Sequence, residues 1–269
     1  MASARKDQAP LTYDEMGKAL ALLDAEIGGS ELLMSIAPLR LISVGGSLAV
    51  RVCLNREASF DIDCMLDPHL AAAADYLAEF EAAVSQVAQR GGYADDWLNR
   101  EVELFVAKNR RMALFLGSVQ QGITIYEGRN LIIYAGRLDW ALERKLRRVA
   151  HARGRRGNKD VDLSDAAALV RLMRRPGNKP PLSFQYVRGL NLNGFDVPPT
   201  DDAIREVADY YARTYGEVGI ADMTWDADAA KWKYRGLDGA WVWVDEGAFR
   251  GVRGWMDMIK GKGGPANVA

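Results

Sequence analysis

The chain has 269 residues, 49% of them hydrophobic and 26% charged, which is enough apolar material for a buried core plus a sizeable appended layer. Lys and Arg number 35 and Asp and Glu 36, so the whole-chain field selects no partner and any electrostatic signal must be local. No run reaches the length of a membrane span, and residues 1–10 lack the apolar stretch of a leader. Cys53 and Cys64 have neither zinc spacing nor a disulfide framework, which predicts small buried thiols in a reducing, cytoplasmic protein.

Residues 1–11 read as a disordered start. Thr12, with Glu15 three residues on, caps a helix whose stripe includes Met16, Leu20 and Leu23. A short helical turn is expected over 30–36, and Pro38 breaks it. Residues 39–44 form an apolar strand, Gly45-Gly46-Ser47 turn the chain, and 48–54 have helical period. From 59 to 66 the sequence alternates, with Phe60, Ile62 and Cys64 on one face and Asp61, Asp63 and Met65 on the other. One long helix is predicted over 69–89, ended by Gly91-Gly92. Strands follow at 102–106, 123–126 and 131–134, the last two joined by a turn at 127–130. A basic amphipathic helix over 138–152, a polar loop over 153–159 and a helix over 164–173 close a core that spans 12–175.

Beyond that the composition changes: six of the nine prolines lie after position 175, and tryptophans concentrate after position 224. A helix over 201–215, capped by Thr200 or Asp201, and an aromatic hairpin pairing 231–234 with 240–244 are expected in an appendage over 176–260, followed by a mobile tail over 261–269. Its tryptophans read either as the core of a small layer or as a surface for stacking a base or an aminoacyl group. The fold class is therefore α+β: a mixed sheet flanked by helices, with a C-terminal α/β appendage.

The chemistry concentrates between positions 41 and 67. A glycine pair between strand and helix lets backbone amides approach a phosphate, although the same turn also serves geometry alone. Asp61 and Asp63, two apart in a strand, place two carboxylates on one side, where their repulsion calls for a compensating cation such as Mg²⁺. Two acids opposite a glycine turn suit phosphoryl chemistry. His69 and His151 form no nucleophile–base pattern.

The set Gly45-Gly46-Ser47, Arg56, Ser59 and Asp61-Ile62-Asp63 resembles the minimal nucleotidyltransferases related to the abortive-infection toxins. Asp96-Trp97-Leu98-Asn99 is similar to an element those proteins carry after their first long helix. The segment from Trp140 to Leu169, with Lys145, Asp162 and Asp165, resembles their closing helices. The resemblance covers roughly residues 39–173. It implies a nucleotidyltransferase-like fold, phosphate binding by Gly45, Gly46, Ser47 and Arg56, a metal on Asp61 and Asp63, and catalysis by Asp61, Asp63 and Lys145, with Asp162 and Asp165 supporting the lysine. A third carboxylate completes the metal site in polymerase-like relatives, and Glu101 and Glu103 are the candidates here.

Arg144, Lys145, Arg147, Arg148, Arg153, Arg155, Arg156 and Lys159 crowd into sixteen residues and read as either an RNA-binding stretch, with tRNA the natural partner, or a solvated helix face and loop. The leading expectation is Mg²⁺-dependent nucleotidyl transfer from an NTP to RNA or a small molecule. A second is the chemistry of the fungal arginine-containing cyclodipeptide synthases, which use aminoacyl-tRNAs. A third is a non-catalytic RNA- or protein-binding relative.

Overall fold

The computed structural model describes residues 9–152, 156–174 and 180–244, and the side chains at 156–158 stand outside that description. The chain divides into two compact units. Unit 1 runs to Arg137 and takes in the segment Leu192–Phe195; unit 2 runs from Leu138 and holds the remainder.

In unit 1, β1 (Leu11–Thr12) leads into α1 (Tyr13–Gly29), then α2 (Glu31–Met34) and β2 (Leu39–Val44). Thr12 Oγ1 accepts from the Glu15 amide at 3.3 Å, the expected N-cap. After β2 come α3 (Gly46–Leu48), β3 (Ala58–Ser59), β4 (Ile62–Leu66), α4 (Pro68–Ala72), α5 (Ala74–Gly91) and β5 (Leu98–Asn99). The unit ends with α6 (Lys108–Gln121), β6 (Thr124–Glu127) and β7 (Leu131–Ala135).

A five-stranded mixed sheet in the order β5-β4-β2-β7-β6 forms the centre of the unit. β2 pairs antiparallel with β4 and parallel with β7, β5 runs parallel to β4, and β6 is antiparallel to β7. Central β2 is apolar because it is covered on both faces: Leu39, Leu41, Ile42 and Val44 are all buried. Asp24 of α1 fixes the entry to β7, its Oδ1 accepting from the amides of Asn130 and Leu131, each at 2.8 Å.

Several expectations change. Leu11, expected in a disordered start, pairs with Ser59 in β1–β3, and residues 1–8 lie outside the described residues. Strand β4 begins at Ile62, so Asp61 precedes the ladder and Phe60 is exposed. The helix expected over 48–54 is α3 followed by a wider π turn over Ala49–Cys53, closed by Leu54 at φ 56. The single helix expected over 69–89 is two, broken at Ala73 where ψ is 100. The strand expected over 102–106 is a 3₁₀ helix, Glu101–Phe105, because Val102 and Glu103 are consecutive and both buried, which an alternating strand does not permit.

Unit 2 comprises α7 (Leu138–His151), α8 (Arg156–Arg174), β8 (Leu182–Ser183), α9 (Phe184–Arg188), α10 (Asp201–Tyr215), β9 (Ile220–Ala221), β10 (Thr224–Asp226), β11 (Lys231–Arg235) and β12 (Trp241–Val244). Helix α8 starts at Arg156, eight residues before the expected 164, so the polar loop is correspondingly shorter. Thr200 caps α10 through its Oγ1, 3.3 Å from the Ala203 amide. β10, β11 and β12 form a three-stranded antiparallel sheet, one strand more than the expected hairpin. The division between units falls at Arg137–Leu138 and not at the proline-rich composition break, because α10, beyond that break, packs against both α7 and α8. Among the described residues no helix is long and apolar enough to cross a membrane. The expected tail over 261–269 and Trp255 lie outside the described residues.

Candidate functional site

The turn after β2 is built for close approach. Gly45 stands at φ 82, ψ −134, a backbone that side chains rarely adopt. A Cβ there would sit 2.9 Å from Asp63 Oδ2, and one on Gly46 would sit 1.9 Å from Ser59 Oγ. The glycine pair thus admits two polar side chains against the main chain: the Asp63 carboxylate over Gly45 and the Ser59 hydroxyl over Gly46.

Register and hydrogen bonds hold Asp63 there. It pairs with Val44 of β2 on one side and with Asn99 of β5 on the other. Ser43 Oγ donates to the Asp63 carbonyl at 2.6 Å. A hydroxyl has one proton, so Ser43 accepts at 2.7 Å from Ser47 Oγ, which also lies 3.3 Å from the Val44 carbonyl. Ser43 and Ser47 are fully buried. The Ser47 hydroxyl therefore braces the turn from inside, and what the turn offers a ligand is main chain and carboxylate.

Asp61 is half-buried one residue before β4, and Arg56 is half-buried in the connection between the π turn and β3. Both engage neighbouring groups. A hollow of about 320 Å³ lies beyond Phe60, lined among others by Glu15, Tyr93 and Asp96. It borders the chain next to Asp61 but does not reach the glycine turn.

The acids considered for a third carboxylate are placed differently. Glu103 is buried and held by two guanidinium groups: Arg100 grips it through Nε and Nη2, both at 3.0 Å, and Arg111 Nη1 reaches it at 3.0 Å. The hydrogen bonds to Glu103 raise the Arg100 pKa above its ordinary value. Burial, and then the Glu103 charge, push the nearby Cys64 thiol up, so it stays protonated. Glu101 is exposed on the 3₁₀ helix. The residue beside Asp63 in the sheet is Asn99, whose Oδ1 accepts from the Glu101 amide at 3.0 Å. Among the described residues no group of three or more His, Cys, Asp or Glu is placed to hold a metal ion. Mg²⁺ is commonly held by one or two protein carboxylates, with substrate phosphates and waters filling its other positions.

Lys145 belongs to unit 2. Its Nζ is buried between Asp162 Oδ1 at 2.9 Å and Asp165 Oδ2 at 2.7 Å, and Arg148 Nε adds a third ion pair to Asp162 at 3.0 Å. Both aspartates therefore form ion pairs with Lys145. Other members of the basic stretch are likewise matched to acids: Arg147 to Glu143 at 2.9 Å and Lys159 to Glu206 at 2.5 Å. Arg144 lies over the Trp140 ring at 5.8 Å. Arg153 and Arg155, and the side chain of Arg156, lie outside the described residues.

Sequence reasoning missed Ser43 and Arg111, and it took Asn99 only as part of the Asp96–Asn99 element, with no role. Ser43 left a signal, a polar residue inside an otherwise apolar strand. The place of Asn99 beside Asp63 emerged only with the parallel register of β5. No family model matches the chain, no curated protein matches its sequence, and no solved structure matches its fold.

Proposed function

We propose that this chain is a transferase with a nucleotidyltransferase-like core that binds a nucleoside triphosphate at the Gly45-Gly46 turn. The observation that carries the reading is the Asp63 carboxylate seated over Gly45, at the end of the central strand, with Asp61 two residues away. Main-chain amides of the turn would meet phosphate oxygens. The two carboxylates would hold Mg²⁺, which neutralises phosphate charge when bound. An acceptor hydroxyl on RNA or a small molecule would attack the α-phosphate, the bond to the bridging oxygen of the β-phosphate would break, and pyrophosphate would leave. The expected result is Mg²⁺-dependent NTP binding with pyrophosphate release, both abolished by Asp61→Ala or Asp63→Ala. Pyrophosphate release that survives both changes would refute this.

One observation favours a second reading. An amide, Asn99, stands beside Asp63, and Glu103 is neutralised by two arginines. That setting suits chemistry on an aminoacyl-tRNA, as in the cyclodipeptide synthases, with Asp61 or Asp63 accepting a proton from the aminoacyl amine. It predicts copurifying tRNA and a cyclic dipeptide product without NTP consumption. Mass spectrometry of the purified protein and its extract separates the two.

A further inference from the structure

The sheet β10–β12 has two unlike faces. Trp232 and Val244 are buried with Met223, and Tyr234 packs against them, whereas Val242 on the same side is exposed. Trp225 joins that side, its ring 5.4 Å from Trp232. Odd-numbered positions face the other way. Register places Lys233 opposite Trp243 and Arg235 opposite Trp241. The outer face consequently carries Lys231, Lys233 and Arg235 interleaved with Trp241 and Trp243, which are 41% and 47% exposed.

A solvated sheet face is normally polar, and two half-exposed indoles there are costly unless something covers them. Internal packing explains part of the arrangement. Arg235 lies 3.8 Å over the Trp241 ring, and Lys233 is 4.9 Å from Trp241 and 5.2 Å from Trp243. Cation–π contact stabilises the hairpin but leaves both rings open to water. The strand residues carry three cations against one carboxylate, Asp226, which is already paired with Lys233 at 2.6 Å.

We propose that this outer face is a stacking platform for unpaired RNA bases. Side chains two apart on a strand repeat every ~6.6 Å, about twice the ~3.4 Å rise per base of a nucleic-acid strand, so Trp241 and Trp243 are spaced for one base once the Lys233 ammonium that lies 4.9 Å and 5.2 Å from their rings turns aside. Lys233, between the two rings, and Arg235, beside Trp241, are then within reach of the flanking phosphates. Stacking rings interleaved with cations are the chemistry of single-strand recognition, whereas duplexes hide their base faces. Of the described bases of α7 and α8, Lys145, Arg147, Arg148 and Lys159 are paired with acids, as Lys233 is with Asp226. The inference rests on this sheet alone and stands or falls independently of the Gly45–Asp63 site.

The test is fluorescence anisotropy of a short labelled single-stranded RNA titrated with the full chain, alongside the same sequence as a duplex and a polyglutamate peptide. Salt-sensitive binding to the single strand is expected, weakened about tenfold by Trp241→Ala and by Trp243→Ala. Trp243→Phe, which keeps a ring, stays within about threefold of the wild type. Arg235→Gln lowers the slope of log affinity against log salt by about 0.7, one single-strand phosphate contact. Melting temperatures show whether each variant is folded. Trp243→Phe and Arg235→Gln carry the test if the alanine variants are not. No binding, equal affinity for duplex or polyglutamate, or binding unchanged in all of the variants would overturn the proposal.

Discussion

At the scale of single residues, the site depends on what two glycines leave out. Gly46→Ala places a methyl group 1.9 Å from Ser59 Oγ and 2.6 Å from its Cβ, so strand β3 must move. We expect a loss of about 1–3 kcal/mol by denaturant unfolding, with NTP affinity falling further than stability alone explains. Tyr211 gives a pH-dependent case. Burial, then its hydrogen bond to Glu217 at 2.5 Å, pushes the phenol up from 10.0 to about 12. The folded state therefore holds this proton more tightly than the unfolded one. The resulting stability is complete below pH 10, falls as pH rises, and is gone above about pH 12. Tyr211→Phe should flatten that alkaline decline in melts between these limits, and an unchanged decline would contradict the assignment. Asp63 was legible from its spacing and the glycine turn. The role of Glu103 was not, because nothing in the sequence says that Arg100 and Arg111 close on it.

At the scale of elements, strong periodicity and caps carried most of what was readable. Strand β2 is mostly apolar, α10 is capped by Thr200, and α7 has a wide apolar face, so all three stood out. Two failures have local causes. The break at Ala73 lies in a run of alanines that contains no glycine or proline to mark it. The early start of α8 was hidden by Gly154 and Gly157, which read as loop residues. The segment 101–106 deceived for a third reason: its branched residues favour strands, but the burial of adjacent Val102 and Glu103 selects a tight helical turn. Helices α7 and α8 also supply a prediction. Lys145→Ala removes the buried cation that Asp162 and Asp165 share and should cost about 3–5 kcal/mol in unfolding free energy. Lys145→Met at the same cost would show that the loss is one of charge compensation and not of side-chain volume. Destabilisation below ~1 kcal/mol by either change would mean that the ion pairs contribute little.

At the scale of the whole molecule, the near-zero net charge carried no information, and locally dense charge proved ambiguous. Eight bases between positions 144 and 159 look like a ligand surface in one dimension. In three dimensions Lys145, Arg147, Arg148 and Lys159 face carboxylates that arrive from 143, 162, 165 and 206. Sequence distance hid the partners. The mixed sheet flanked by helices was legible in outline, while the boundary between units was not, because proline content marks irregular chain and not the limit of a core. The central claim is that Asp63 and the glycine turn form a nucleotide site, and isothermal titration with ATP tests it most directly. The wild-type chain should bind in Mg²⁺ and lose that affinity in EDTA. Asp63→Asn, which keeps the side-chain volume, should lose at least about tenfold (~1.4 kcal/mol) with its melting temperature preserved. Equal ATP affinity in the folded Asp63→Asn variant, or binding indifferent to Mg²⁺, would contradict the account.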